Sequence, residues 1–239
     1  MFSSAGTDDE ARARDDVADA LMPYRECNFV VASPTDPANY FHLLRRQLVW
    51  PFRRPLIVLA PKRTLRHQGA TSPLSDILME GSESCPLKQF SSVLDDPHWK
   101  LDDKENVSAI LLCSGELYYD LSKLREQGEA FSAAALIRLE QLAPFPSREL
   151  NDVIKSYPNI TRVSWAQEEP ANDGAMHFVR DQLLFQKSVP SLVNMPIQWQ
   201  SRPEAAAPAV GNPYEHGKSQ QKLISDILQW DAENTQTGT

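Results

Sequence analysis

Two neighbouring carboxylates, Glu168 and Glu169, follow an apolar run and precede Pro170. A carboxylate pair invites general acid–base chemistry, with one member protonated and the other ionised. Neighbours on a strand or its extension point to opposite sides, which places these two badly for joint action. The plainer alternative is one carboxylate in a hydrogen-bonded turn and the other exposed or at an interface. A second candidate is the basic run Lys62, Arg63, Arg66 and His67, which follows another apolar segment. Such a cluster can take a phosphate, with Lys62 and Arg66 as candidate contacts. Solvated or interdomain charge is the alternative. Third, Ser114-Gly115 joins an apolar run to a helical pattern. Small residues there let a phosphate or pantetheine approach the backbone near a helix start, although a plain tight turn reads the same way.

Other chemistries lack their signatures. The sequence contains no Gly-x-Gly-x-x-Gly, no Walker lysine motif and no Gly-x-Ser-x-Gly elbow. Its five histidines (His42, His67, His98, His177, His216) show no metal-ligand spacing. His42, three residues after Asn39 on a helical pattern, reads as a structural histidine rather than a catalyst. Cys27, Cys85 and Cys113 are far apart and form no Cys-x-x-Cys, which points to reduced thiols in an intracellular protein.

The 239 residues carry 41% hydrophobic and 23% charged side chains, enough to bury a core. A net charge of -8 argues against a general nucleic-acid or anionic-membrane binder. The longest apolar runs are far shorter than a membrane span. The start, with Asp8, Asp9, Glu10, Asp15 and Asp16, fits neither a secretory signal nor a transit peptide.

The elements that position the candidates follow from the pattern. Residues 1–27 read as a poorly ordered leader, with Val17, Ala18, Leu21 and Met22 on one short amphipathic helix. Phe29 to Ala32 is a short buried strand, and Ser33-Pro34-Thr35-Asp36-Pro37 a helix start capped by Thr35 or Asp36. That helix carries Tyr40, Leu43, Leu44 and Leu48 to Trp50-Pro51, and Pro55 to Ala60 is the next strand. The block 28–67 is followed by a linker at 68–104, rich in Ser, Asp, Pro and Gly. From about 105 to 230 the pattern alternates: strand 107–113, helix 117–127, strand 133–139, helix 147–156, strand 161–166, helix 174–186. Alternation of this kind implies a mostly parallel sheet with helices on both faces, an α/β fold. A further strand is expected around Ile197 and a last helix around Leu223, Ile224, Ile227 and Leu228, before a polar tail at 231–239.

Long, colinear strings in this order resemble one family. They are Pro37-Ala38-Asn39-Tyr40-Phe41-His42-Leu43-Leu44-Arg45-Arg46-Gln47, Arg54-Pro55-Leu56-Ile57-Val58 with Pro61-Lys62 and Leu65-Arg66-His67, and Leu112-Cys113-Ser114-Gly115 with Tyr118-Tyr119-Asp120-Leu121. Arg138-Leu139-Glu140-Gln141-Leu142, Pro144-Phe145-Pro146, Gln167-Glu168-Glu169-Pro170, Arg202-Pro203, Pro208-Ala209-Val210-Gly211 and His216 complete the series. Over about 28–230 the chain is similar to the C-terminal end of the thiamine-dependent first component of 2-oxoglutarate dehydrogenase, a succinyl-transferring enzyme of the tricarboxylic acid cycle.

The resemblance implies a transketolase C-terminal-like domain at 105–230, preceded at 28–67 by the end of the pyrimidine-binding domain. Thiamine diphosphate and magnesium belong to the full-length family; this chain alone is expected to bind no cofactor. The family's Gly-Asp-Gly motif is absent, and where its substrate histidine would fall the sequence reads Asp8-Asp9-Glu10-Ala11-Arg12-Ala13-Arg14. No catalytic residue therefore carries over. Some bacterial members bind acetyl-CoA as an activator in this domain, and the matching positions are Ser72, Cys113, Glu116, Gln167, Gly174 and Ala175. Family members usually carry Lys at the position of Glu116; Asp173 and Met176 also depart from the pattern. The expected partners are the remainder of the dehydrogenase complex or a second copy of the chain, with no nucleic acid and no membrane. The expected place is the mitochondrial matrix in a eukaryote or the cytoplasm in a bacterium. The expected role is assembly, dimerisation or effector binding without catalysis by this chain alone. The alternative is one chain of a split enzyme whose partner carries the cofactor site.

Overall fold

The computed structural model describes residues 22–78, 89–128, 130–207 and 209–236. Val17, Ala18, Leu21, Cys85 and Pro208 lie outside the described residues, as does most of the leader. Met22 belongs to helical residues 22–26 (α1).

A five-stranded sheet forms the centre. Its strands are β3 (Val93–Leu94), β4 (Ala109–Cys113), β5 (Ala134–Leu139), β7 (Arg162–Pro170) and β8 (Ile197–Arg202), in the order β3-β5-β4-β7-β8. β5, β4, β7 and β8 run parallel, and β3 pairs antiparallel with β5 at the edge. β4 and β5 are buried at every position, as expected of parallel strands covered on both faces. Their side chains alternate between two cores. Ile110, Leu112, Ala135, Ile137, Val163 and Trp165 pack with Leu150 and Ile154 of α5 (Ser147–Lys155) and Val179 of α6 (Met176–Arg180). Ala109, Leu111, Cys113, Ala134, Leu136 and Ala166 pack with Leu117 and Leu121 of α4 (Leu117–Glu126) and Leu223, Ile227 and Trp230 of α7 (Pro213–Gln236). The expected helix at 174–186 is α-helical only over α6 and continues as a π turn at Asp181–Phe185.

A smaller sheet sits beside the first. β1 (Val30–Ala32) pairs parallel with β2 (Leu56–Val58) and antiparallel with β6 (Gln141–Ala143), one residue beyond β5. Block 28–67 is therefore joined to the larger α/β unit by a shared sheet. α2 (Pro37–Val49) follows β1, with Pro37 in its first turn and Asp36 Oδ1 accepting from Asn39 N–H at 2.8 Å. Of the two caps the sequence offered, Asp36 serves; Thr35 is used by Glu140. The segment read as a linker includes the short helix α3 (Leu74–Ile77) and β3. Its Asp96 is buried, accepting two bonds from Arg125 and one each from Leu136 N–H and His98 N–H. Buried carboxylates persist when donors of this number meet them. No helix among the described residues is long and apolar enough to cross a membrane.

Candidate functional site

The strand order creates one special place. β4 leads through α4 to β5 on one side, while β7 leads through α6 to β8 on the other. Adjacent parallel strands whose connections diverge leave a crevice at their carboxyl ends, where open α/β sheets hold ligands. Here that crevice is a cavity of about 660 Å³. Its floor is Ser114, Gly115 and Glu116 after β4 and Glu168 and Glu169 of β7; Asp173, Gly174 and Ala175 form one rim. Apolar walls come from Phe29, Val31 and Leu59 of the small sheet region, with Leu142 and Phe178.

Each polar element has a local cause. Gly115 has φ +70°, so the chain can turn from β4 into α4 where a side chain would be strained. Gly174 has φ +67°, and a Cβ there would lie 2.9 Å from Glu169 Cβ and 3.0 Å from Gln167 Nε2. Gln167 is buried and its Nε2 donates to the carbonyls of Pro170 (3.1 Å) and Asp173 (2.8 Å), which shapes the turn that carries Gly174. Glu168 accepts a bond from Gln220 Nε2 of α7 at 2.6 Å. Burial pushes its carboxyl up to about 7, with Glu116 and Asp120 adding repulsion. Glu116 pairs with Arg63 at 3.6 Å, and Arg63 also reaches Asp120 at 3.3 Å.

The candidate residues separate on this geometry. Glu116, Gly174 and Ala175 line the cavity, and Gln167 supports its rim. Cys113 is fully buried beneath it, and burial pushes its thiol up to about 12, which leaves it an inert core residue. Ser72 is not on the cavity wall. Its hydroxyl accepts from Ala38 N–H at 3.0 Å and donates to Asp36 at 3.3 Å, at the start of α2. Lys62 and Arg66 are exposed and also lie off the wall. Of the suspected carboxylate pair, Glu169 is exposed and Glu168 half-buried and hydrogen-bonded. His42 is buried, with Nε2 2.7 Å from the Asp76 carbonyl. Sequence reasoning missed the apolar wall, since Phe29, Leu59 and Leu142 come from segments far apart in the chain. It also missed Gln220, which bridges Glu168 and Asp120 from a helix about 50 and 100 residues away.

Fold and site together define a doubly wound α/β unit with a binding cavity at its strand-switch point and a second, smaller sheet as one wall. Comparison with known proteins specifies it further. The family described as 2-oxoglutarate dehydrogenase C-terminal matches residues 80–228, more than half of the chain. The chain belongs to this family. It is 40% identical over 197 residues to the 2-oxoglutarate dehydrogenase E1 component of Cupriavidus necator, covering 82% of this chain and 19% of the relative. It is 43% identical over 202 residues to the 2-oxoadipate dehydrogenase complex component E1 of Xenopus laevis, covering 84% and 20%. For the 2-oxoglutarate dehydrogenase E1 component of Azotobacter vinelandii the identity is 38% over 203 residues, covering 85% and 20%. The chain thus spans about a fifth of the length of the curated relatives it matches.

Proposed function

We propose that this chain acts as the C-terminal part of a 2-oxo-acid dehydrogenase first component. In this role it is not catalytic by itself; it serves assembly and effector binding. In this reading the five-stranded unit is the transketolase C-terminal-like domain, and β1, α2 and β2 are the end of the pyrimidine-binding domain. Family membership carries the proposal, together with the position of the cavity where the two sheets meet.

The described residues around this cavity do not suit a diphosphate. No group of three or more His, Cys, Asp or Glu side chains among them is arranged to hold a metal ion. The charged side chains on the cavity wall are all carboxylates, like charges to a diphosphate. In this reading thiamine diphosphate and magnesium belong to other parts of the enzyme. Purified chain releasing carbon dioxide from 2-oxoglutarate in a thiamine-dependent assay would overturn the non-catalytic role.

A second reading, one chain of a split dehydrogenase, has its own observation. Leu48 and Val49 of α2 are 78% and 72% exposed, and Phe41, Leu44 and, on the edge strand β2, Ile57 are each more than two-fifths exposed. An apolar helix end beside an open strand edge suits burial against further protein. Affinity capture followed by mass spectrometry tests it: recovery of a thiamine-binding dehydrogenase polypeptide supports the split enzyme, and recovery of the chain alone or as a dimer counts against it.

A further inference from the structure

We propose that the cavity at the β4–β7 switch point binds an amphiphilic amine, its apolar body against Phe29, Leu59, Leu142 and Phe178 and its ammonium group at Glu116 and Glu168. The cavity volume of about 660 Å³ falls among those that hold small ligands, and most of its wall is apolar, as such pockets are. Its polarity is one-sided. The charged side chains on the wall are Glu116, Glu168, Glu169 and Asp173, and no cation among the described residues shares it.

Glu116 already shares one neighbouring cation with Asp120, whereas Glu168 is paired with none. Arg63, on the loop after β2, bridges Glu116 and Asp120. Arg202 of β8 donates to Gln220, and Gln220 of α7 offers Glu168 only a neutral donor. Burial first, and then Glu116 and Asp120 facing it from the α4 side, hold the Glu168 carboxyl up to about 7, against the smaller pull of Gln220 and Arg202. An arriving ammonium group would supply positive charge and expel the proton. An anionic ligand such as a coenzyme A phosphate would meet the same carboxylates as repulsion. The inference rests on the cavity wall and not on the dehydrogenase reading.

Titration calorimetry with n-octylamine tests it, with octanoate and acetyl-CoA as anionic controls. An alkylammonium ionises like lysine, so the probe is charged at both pH 6 and pH 8. Octylammonium is expected to bind at one saturable site, releasing a proton at pH 6 and little at pH 8 in buffers of different ionisation enthalpy. Glu168→Gln should weaken binding about tenfold and abolish the release. Glu116→Gln, read in the same way, covers the case where the first variant does not fold. Filling the cavity with Leu142→Trp should remove binding. Octanoate or acetyl-CoA binding as tightly as octylammonium would overturn the inference. So would Glu168→Gln and Glu116→Gln variants that bind like the parent. Failure here leaves the dehydrogenase reading intact, because capture of a partner and thiamine-dependent turnover are separate readouts.

Discussion

Glu140 and Glu168 stand at the ends of two parallel strands, and their surroundings treat the same carboxylate in opposite ways. Glu140, just after β5, is fully buried. Thr35 N–H donates to it at 2.8 Å, the Thr35 hydroxyl at 2.6 Å and Asn39 Nδ2 at 2.9 Å. Arg138 donates to the same Thr35 hydroxyl at 2.8 Å while lying 4.0 Å over the Tyr118 ring. Burial pushes the Glu140 carboxyl up, and Arg138, Thr35 and Asn39 pull it back. Glu168, on β7, has one neutral donor and two neighbouring carboxylates. A carboxylate with its lone pairs filled fixes structure, whereas one left short of positive charge is a place for something else to bind. The first ties the small sheet to the large one; the second faces the cavity between them.

The largest effect should come from cutting the tie. Glu140→Ala leaves Thr35 N–H without its buried acceptor, Asn39 Nδ2 with only the Ser91 carbonyl, and Arg138 without its nearby countercharge. The expected loss is about 3–5 kcal/mol in urea unfolding, the range for breaking a buried charged network on one side. Limited proteolysis should then open the 28–60 region while β4, β5 and β7 remain protected. A variant as stable and as protease-resistant as the parent would dissolve the contrast, since Glu140 would no longer be the structural member of the pair.

Part of this contrast can be read from the sequence. The two apolar runs ending in Glu140-Gln141 and Gln167-Glu168-Glu169 mark strand ends, and the strand–helix alternation of 107–186 marks a parallel sheet. Asp36 before Pro37 marks the helix start. These are local signals, each carried by a window of about ten residues. What decides the fate of each carboxylate is not local. Glu140 meets Thr35 across 105 positions, and Glu168 meets Gln220 across 52. No periodicity encodes such partners; they follow from β1 pairing with β6 and α7 packing beside β7 and β8. For the same reason Ser72 and Glu116, both matched to one site by resemblance, part company in space. Ser72 supports a helix cap, and Glu116 lines the cavity.

A smaller effect should follow from disturbing the cavity rim. Gly174→Ala requires an alanine at φ +67° with its Cβ against Gln167 and Glu169. The expected cost is about 1–3 kcal/mol from backbone strain and displacement of the Gln167 side chain. Because the turn it distorts carries Asp173 and Ala175, ligand binding at the cavity should weaken more than global stability, while Glu140 remains undisturbed. Gln167→Leu removes the donor that holds the turn and should cost about 1–3 kcal/mol, since the Asp173 and Pro170 carbonyls lose a buried partner. If these rim variants instead unfolded the small sheet first, the two strand ends would be one cooperative structure rather than a tie and a site.

The finest test is the pH dependence of Glu168. Its folded-state value of about 7 lies above the ordinary 4.5, so the folded chain keeps a proton that the unfolded chain has already released between those values. Stability from this group is present in full below pH 4.5 and is lost as pH rises through about 7. Above that, an ionised Glu168 opposes folding, first because its charge is buried and then through repulsion with Glu116 and Asp120. Glu168→Gln removes the charge without removing the side chain. It should therefore be neutral at pH 4 and stabilising by roughly 1–2 kcal/mol at pH 8, read as a rise in urea midpoint with unchanged slope. A constant offset at both pH values would mean that the hydrogen bond from Gln220, rather than the burial and repulsion of its charge, sets the environment of Glu168. The same substitution at Glu140 should instead destabilise at both pH values, because donors that meet carboxylate oxygens would meet an amide N–H.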